Sequence, residues 1–129
     1  MPALQRSVAC IACLLPALAW ALGVGGIDVS SGLNQPFDAK IAIVGAKQGE
    51  LDDVSAALAE PKIFEAAGLT RSIVLTRLKF EVVATGDDSG YIHVTSRDGI
   101  REPALEFIVD VKWGNGSVRR KYSVLLEPK

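Results

Sequence analysis

The sequence has little of the chemistry from which metal centres and many catalytic sites are built. It contains two cysteines, Cys10 and Cys13, and one histidine, His93. Both cysteines lie in an N-terminal segment that we expect to be removed, so the remaining chain would hold none. We therefore expect no metal and no cofactor, because transition metals are held by clusters of cysteine and histidine. A disulfide-free domain of about 100 residues has to be stabilised by its hydrophobic core.

An excess of charge of one sign is also missing. The chain has 14 lysines and arginines against 15 aspartates and glutamates, for a formal net charge of −1. Because the two signs are interspersed, we expect no nucleic acid as a partner. No segment after residue 24 is apolar for long enough to cross a membrane. We expect contact with a membrane only during export.

The N-terminal segment has the pattern of a secretory leader. Residues 1–6 carry one positive charge, residues 8–18 are apolar, and Ala19-Trp20-Ala21 fits the small-x-small cleavage site. The sequence therefore predicts a signal peptide over residues 1–21 and one domain over residues 22–129. The alternative is a retained membrane anchor, for which the apolar run is barely long enough and is interrupted by Pro16.

The rest of the chain predicts a mostly β protein. Short alternating segments are separated by turn residues, and one helix is expected at residues 61–67, ended by Gly68 in the left-handed conformation. Strands are predicted at 27–31, 37–43, 51–60, 73–84 and 91–96, with two more in a hairpin over 104–128. The segment 51–60 also has helical spacing, but a helix would run into Pro61, which favours a strand. About seven strands and one short helix indicate an antiparallel, immunoglobulin-like β-sandwich.

The C-terminal hairpin comes with a predicted register. A two-residue turn at Asn115-Gly116 sets Trp113 opposite Val118 and Lys112 opposite Arg119. It also sets Asp110 against Lys121 on the polar face. The opposite face is expected to lie in the core: Leu105, Phe107, Val109, Val111, Tyr122, Val124 and Leu126.

The predicted register leaves unexplained charge near the hairpin turn. Like charges directly across a ladder are destabilising, and Lys112 facing Arg119 has no structural reason in this register. We therefore name Lys112, Trp113, Arg119 and Arg120 as a candidate contact patch for an acidic partner or a glycan. The alternative is a solvated edge whose charges prevent aggregation.

We expect no catalytic residue. His93 falls on a polar strand face, and the sequence does not supply the nucleophile or orienting acid that a catalytic histidine needs. The acidic pairs Asp52-Asp53 and 87–88 are adjacent residues, which point to opposite faces of a strand. A pocket that held His93 beside a carboxylate or hydroxyl would reopen the case for an enzyme.

Several ordered segments resemble the N-terminal domain of FimV-type proteins, which act in pilus assembly and polar organisation of Gram-negative bacteria. The segments cover nearly the whole predicted mature chain: LNQPFDA at 33–39, GEL at 49–51, LA at 58–59, the F-x-x-AG helix end at 64–68, LTRLKF at 75–80, REP at 101–103 with Leu105 and Phe107, and RKYSVLLEP at 120–128. The leader that ends in Ala21-Leu22-Gly23 is similar too.

The resemblance implies a periplasmic domain that supports envelope machinery, and it supplies no catalytic residues to carry over. Its partners would be envelope, pilus or secretion assembly proteins, in type IV pilus and type II secretion assembly and twitching motility. FimV-type proteins usually continue into a LysM module, a membrane helix and an acidic cytoplasmic part, which this sequence lacks. The chain is then either a stand-alone copy or a fragment. We expect a non-catalytic protein-interaction domain; the alternative is a module that binds cell-wall glycan, with peptidoglycan as the partner.

Overall fold

Two antiparallel sheets pack face to face in the computed structural model, which describes residues 22–46, 49–86, 88–114 and 116–128. The first sheet has the strand order β1-β2-β5-β4 and the second has the order β3-β6-β7. The strands are β1 Gly23–Val29, β2 Pro36–Val44, β3 Ser55–Leu58, β4 Lys79–Ala84, β5 Gly90–Gly99, β6 Ala104–Trp113 and β7 Gly116–Leu125. This confirms the predicted antiparallel sandwich.

The core lies between the inner faces of the two sheets. Strand β2 buries alternate residues from Phe37 to Ile43, as expected for a strand with one face toward a core. All seven residues that the hairpin pattern placed in the core are buried, and Phe107 and Val111 are fully enclosed. Ile108 is buried as well, although alternation puts it on the outer face; its carbonyl accepts a hydrogen bond from the Ala59 amide at 2.9 Å. The segment after β3 therefore covers part of the second sheet's outer face.

The predicted helix is present as α1, Pro61–Ala66. Its proline occupies the first turn, where no intrahelical amide bond is lost. Gly68 has a φ of 74°, and the Leu69 amide donates to the Phe64 carbonyl at 2.9 Å, which closes the helix as predicted. Phe64 is 1% exposed and anchors the helix in the core.

Two predicted strands open with a short helical segment that the prediction did not include. The first part of 73–84 is a second short helix, α2, Ile73–Thr76, and only Lys79–Ala84 is extended as β4. The Leu75 amide donates to the Ser72 carbonyl at 3.1 Å, and the Thr76 hydroxyl donates to the Ile73 carbonyl at 2.6 Å, so local bonds replace the ladder. The segment 51–60 likewise opens with a 3₁₀ turn, Glu50–Asp53, before β3.

The hairpin register differs from the prediction by two residues. Trp113 is paired with Gly116 and Val111 with Val118, so the loop consists of positions 114 and 115, of which Asn115 lies outside the described residues. The Trp113 ring lies over Gly116, where a Cβ would be 3.3 Å from the ring. A slip of two residues preserves the faces of both strands, which is why the core prediction is right. It changes every cross-strand partner, and the predicted oppositions of Lys112 with Arg119 and of Asp110 with Lys121 are wrong.

The first strand connects the two sheets at one side of the sandwich. β1 pairs with β2, with an irregularity between Val24 and Ile27. At this irregularity the Val24 and Gly25 carbonyls accept hydrogen bonds from β7 side chains. Leu22, just before β1, is 7% exposed and belongs to the core. The predicted signal peptide, residues 1–21, lies outside the described residues, and no helix in the described part is long and apolar enough to span a bilayer.

Candidate functional site

The predicted contact patch lies at the closed end of the β6–β7 hairpin, as its position in the sequence requires. In the observed register, Lys112 is opposite Ser117 on one side and Ser55 on the other. Lys112 is exposed and has no like charge facing it. Trp113 is half-buried and packs against the edge of the core. These two residues carry the outward-facing cation and the aromatic surface of this end.

Arg119 forms an ion pair within the domain. It faces Asp110 directly across the ladder, and its Nε and Nη2 atoms donate to the Asp110 carboxylate at 2.6 and 3.2 Å. This hydrogen bond is the main reason that the pKa of Arg119 is raised above its usual value, and the charges of Asp110 and Glu60 act in the same direction. Of the two charges that sequence analysis left unexplained, Arg119 is therefore partnered, and Lys112 faces serines. A bidentate pair fixes the orientation of the guanidinium as well as its charge.

Arg120 is engaged with the opposite sheet. Its Nη1 donates to the Val24 carbonyl at 2.9 Å, and its guanidinium lies over the Tyr122 ring, 5.2 Å from the ring centroid. The Tyr122 hydroxyl in turn donates to the Gly25 carbonyl at 2.8 Å. Partial burial raises the pKa of Tyr122, while the neighbouring Arg120 lowers it by a smaller amount. Arg120 and Tyr122 thus hold the irregular part of β1 against β7.

His93 has an acidic partner that sequence analysis did not find. Its Nε2 lies 2.8 Å from an oxygen of Asp38, on the outer face of the first sheet. Tyr91 packs edge-on against His93, and the Lys40 ammonium lies over the Tyr91 ring at 4.9 Å. The pair depends on β2 lying beside β5, which a separation of 55 residues in sequence does not reveal.

An enzyme would need a pocket that holds His93 beside a carboxylate or hydroxyl, and the structure meets only part of that condition. A carboxylate is present, and its side chain is 50% exposed, with that of His93 at 33%. The three grooves described below are lined by neither residue. Within residues 22–46, 49–86, 88–114 and 116–128, no group of three or more potential metal ligands comes together. The geometry is that of an exposed hydrogen-bonded pair on a polar sheet face.

The LNQP segment forms a tight turn at the other end of the sandwich. Asn34 has a φ of 68°, and its amide donates to the Ile100 carbonyl at 2.8 Å. The Ile100 amide donates back to the Gln35 carbonyl at 3.1 Å, and the Leu33 amide donates to Glu127 O at 2.8 Å. Gly99 is required by close approach, because a Cβ there would lie 2.5 Å from the Asn34 carbonyl oxygen. This turn fixes the start of β2 to the β5–β6 connection and to the C-terminal segment.

Helix α2 and the β5–β6 connection lie beside this turn and enclose a groove. The largest part of the groove has a volume of about 780 Å³. Val74 lines it and two adjoining grooves, and Arg77 and Arg101 stand along its walls. Sequence analysis quoted the segments that contain Asn34, Arg77 and Arg101 for their resemblance to one family. It did not bring them together, because their proximity depends on the strand order.

Comparison with known proteins places the chain in a family. Residues 22–129 match the FimV N-terminal domain, described as an Ig-like domain. The chain is 40% identical over 125 residues to the motility hub protein FimV of Pseudomonas aeruginosa, in strains PAO1 and UCBPP-PA14. The match covers 97% of this chain and 14% of each relative, so the chain spans about one seventh of their length. No solved structure matches the chain.

The strand arrangement agrees with this match. Seven strands within the described ranges form two antiparallel sheets, as an Ig-like domain requires. The segments that carry the resemblance also make the structural connections described above, with LNQP in the turn and the first six residues of RKYSVLLEP in β7. On its sequence and its fold, the chain belongs to the FimV N-terminal domain family.

Proposed function

We propose that this chain is a non-catalytic protein-interaction domain that acts in the periplasm and supports the assembly of envelope machinery. Type IV pilus and type II secretion assembly, and through them twitching motility, are the processes concerned. The proposal rests on the match over 97% of the chain to part of a protein named as a motility hub. A hub works by holding partners, which calls for surface complementarity and no chemistry.

The hairpin end is the contact surface that we propose for this role. Lys112 offers an exposed cation, and the half-buried Trp113 offers a rigid aromatic surface beside it. Tryptophan and arginine are enriched among the residues that dominate binding energies. Arg119 would contribute while it remains bonded to Asp110, and Arg120 through the part of its guanidinium that faces away from Val24. An acidic surface on the partner suits these charges.

Pairing with a partner strand at a sheet edge is a second way for such a fold to dock. The two sheets have four edge strands, β1, β4, β3 and β7. Tyr122 and Arg120 tie β1 to β7 on one side of the sandwich. The hairpin end, which projects beyond these ties, is therefore the better candidate on this side.

Site-specific photo-crosslinking in cells tests the contact surface. A crosslinking amino acid at Ser117, which is exposed and opposite Lys112, is expected to capture a pilus or secretion assembly protein. The same amino acid at the exposed position Lys62 of α1 serves as the control. Lys112→Glu combined with Arg119→Gln should reduce capture and twitching while the melting temperature stays close to that of the wild type. A folded double variant that captures every partner at wild-type yield would refute the proposed surface.

Cell fractionation and a glycan pull-down test the remaining parts of the proposal. The tagged protein is expected in the periplasmic fraction of a Gram-negative host, and recovery from the cytoplasm would contradict the proposed location. Incubation with purified peptidoglycan is expected to leave the protein in the supernatant. Retention on peptidoglycan in the absence of other proteins would favour the glycan-binding alternative.

A further inference from the structure

The end of the sandwich opposite the hairpin loop carries charged side chains without ion-pair partners. Arg77, Arg97 and Arg101 stand around α2 and the β5–β6 connection, together with Asp98 and Glu102. Between described residues, carboxylates lie against basic side chains only at His93 with Asp38 and at Arg119 with Asp110. The guanidinium groups at this end are thus available to a ligand.

An exposed apolar side chain lies among these charges. Ile73, at the start of α2, is 71% exposed, which makes it one of the large hydrophobic residues on the described surface that no neighbour covers. The next residue, Val74, is half-buried and lines all three grooves around α2. The groove therefore presents apolar side chains next to cationic ones, a combination that suits a side chain and a carboxylate of the same ligand.

The walls of the groove are held in place before any ligand arrives. The LNQP turn fixes the Asn34 side at the Ile100 carbonyl, and the Leu126 amide donates to the Pro103 carbonyl at 2.7 Å, which holds the other end of the connection. A wall ordered in advance reduces the entropy lost on binding. Asn34 lines the groove, and its side-chain amide has no hydrogen bond to another described residue. That amide is free to bond a peptide main chain.

The charged side chains around the groove limit the class of ligand that it can bind. Arginine forms bidentate bonds with carboxylates, and the three arginines outnumber the two acids. Asp98 and Glu102 would repel a uniformly anionic polymer such as a nucleic acid. A short stretch of polypeptide with one apolar side chain between carboxylates satisfies both conditions.

We infer that this groove binds an extended segment of a partner protein, in which an aliphatic side chain sits on Ile73 and Val74 and flanking carboxylates pair with Arg77 and Arg101. This site goes beyond the proposed function, since it lies at the far end of the domain from the hairpin patch and would operate whichever assembly the domain supports. Lys112 lies about 27 Å along β6 from Ala104, at roughly 3.4 Å per residue.

A peptide titration followed by NMR tests the inference on the protein produced from its full sequence. The probe is the blocked peptide Gly-Asp-Leu-Glu-Gly, and the matched control is Gly-Asn-Leu-Gln-Gly. We expect the acidic peptide to shift the amide signals of Asn34, of residues 73–77 and of residues 97–102. Equal shifts from both peptides, or shifts spread over the whole surface, would overturn the inference.

Point variants then separate the groove from general charge effects. Arg77→Gln and Arg101→Gln should each weaken binding by up to about fivefold, as expected for an exposed arginine–carboxylate pair. Ile73→Asn should weaken it by about threefold to tenfold through lost apolar contact. Because all three side chains are exposed, these variants are expected to fold. Lys62→Gln removes the same charge from α1, whose residues line none of these grooves, and should bind as the wild type does. A loss with Lys62→Gln equal to that with Arg101→Gln would contradict a site in the groove.

Discussion

The two ends of the sandwich differ in what their charges contact. At the hairpin end, Arg119 is bonded to Asp110, and Arg120 is bonded to Val24 across the two sheets. At the opposite end, Arg77 and Arg101 line a groove without an ion pair to another described residue. Both ends carry clustered cations. The comparison teaches that such cations differ in availability: at the hairpin end Arg119 and Arg120 are already bonded within the domain, whereas the guanidinium groups at the groove have no ion pair with a described residue.

A glycine at each end approaches another residue too closely for a Cβ, and the two approaches differ in kind. An added Cβ at Gly99 would lie 2.5 Å from the Asn34 carbonyl oxygen, while one at Gly114 would lie 2.5 Å from a carboxylate oxygen of Asp53. The Asn34 carbonyl can move only if the whole LNQP turn moves, whereas the Asp53 carboxylate can rotate away from an added Cβ. We expect Gly99→Ala to lower the free energy of unfolding by about 1–3 kcal/mol, and Gly114→Ala by roughly 0.5 kcal/mol or less. Urea denaturation measures the free energy of unfolding of both variants. Equal losses in the two variants would contradict this account of the LNQP turn.

Tyr122→Phe isolates the hydrogen bond that ties the last strand to the first. The ring remains, but the Gly25 carbonyl loses its donor, so we expect a loss of about 0.5–1.5 kcal/mol in the free energy of unfolding. Hydrogen exchange should speed up at the amides around the irregularity of β1 more than elsewhere. Uniform acceleration over all strands would indicate that the bond is not local to β1.

Replacing one arginine at each end sharpens the comparison directly. Arg120→Gln removes a hydrogen bond to Val24 and the contact with the Tyr122 ring, and we expect a loss of roughly 1 kcal/mol. Arg101→Gln removes no ion pair and should leave stability within about 0.5 kcal/mol of the wild type. Thermal and urea denaturation provide the measurement. If Arg101→Gln were the more destabilising variant, the division into structural and available charges would be wrong.

The raised pKa of Tyr122 predicts how stability responds to alkali. A phenol whose pKa is higher in the folded state contributes stability that is complete below its usual value of 10.0 and is lost as the pH rises through the folded value. The phenolate also cannot donate to the Gly25 carbonyl. The wild type should therefore lose its advantage over Tyr122→Phe above about pH 10. An advantage that persists unchanged at higher pH would argue against the tyrosine as the source.

The smallest effect is expected at Arg119, because its pair with Asp110 is exposed to solvent. Arg119→Gln should destabilise the protein less than Tyr122→Phe does, and the difference from the wild type should shrink as salt is added. Melting temperatures at low and high ionic strength measure this. A difference that grows with salt would be inconsistent with an ion pair.

The sequence was informative where one strand's own pattern decides the outcome. Alternation along 104–126 identified the core residues from Leu105 to Leu126, because side-chain direction in a strand has a period of two. Gly68 marked the end of α1 because its left-handed conformation is a local property. Family resemblance rested on several ordered segments, and comparison confirmed it.

The alternation of apolar and polar residues along one strand does not predict which residues of other strands it contacts. Loops at 114–115 and at 115–116 give the hairpin the same faces but different partners, so Arg119 was set against Lys112 and not against Asp110. The Asp38–His93 pair and the groove at Arg77 and Arg101 depend on strand order, which alternation does not encode. Helix α2 was included in the strand predicted at 73–84 because alternation over residues 77–82 indicated an extended segment, and local hydrogen bonds at 73–76 form a helical turn there.

The tie between β1 and β7 has a consequence for the order of folding. The Tyr122 hydroxyl reaches a carbonyl 97 residues earlier in the chain, and Arg120 reaches one 96 residues earlier. A chain that emerges from its N-terminus therefore cannot complete the environment of its first strand until nearly its last strand has appeared. Contacts this distant in sequence also slow the search for the native state. We expect the domain to remain unfolded until β7 is available to pack against β1, and the sandwich then to form cooperatively.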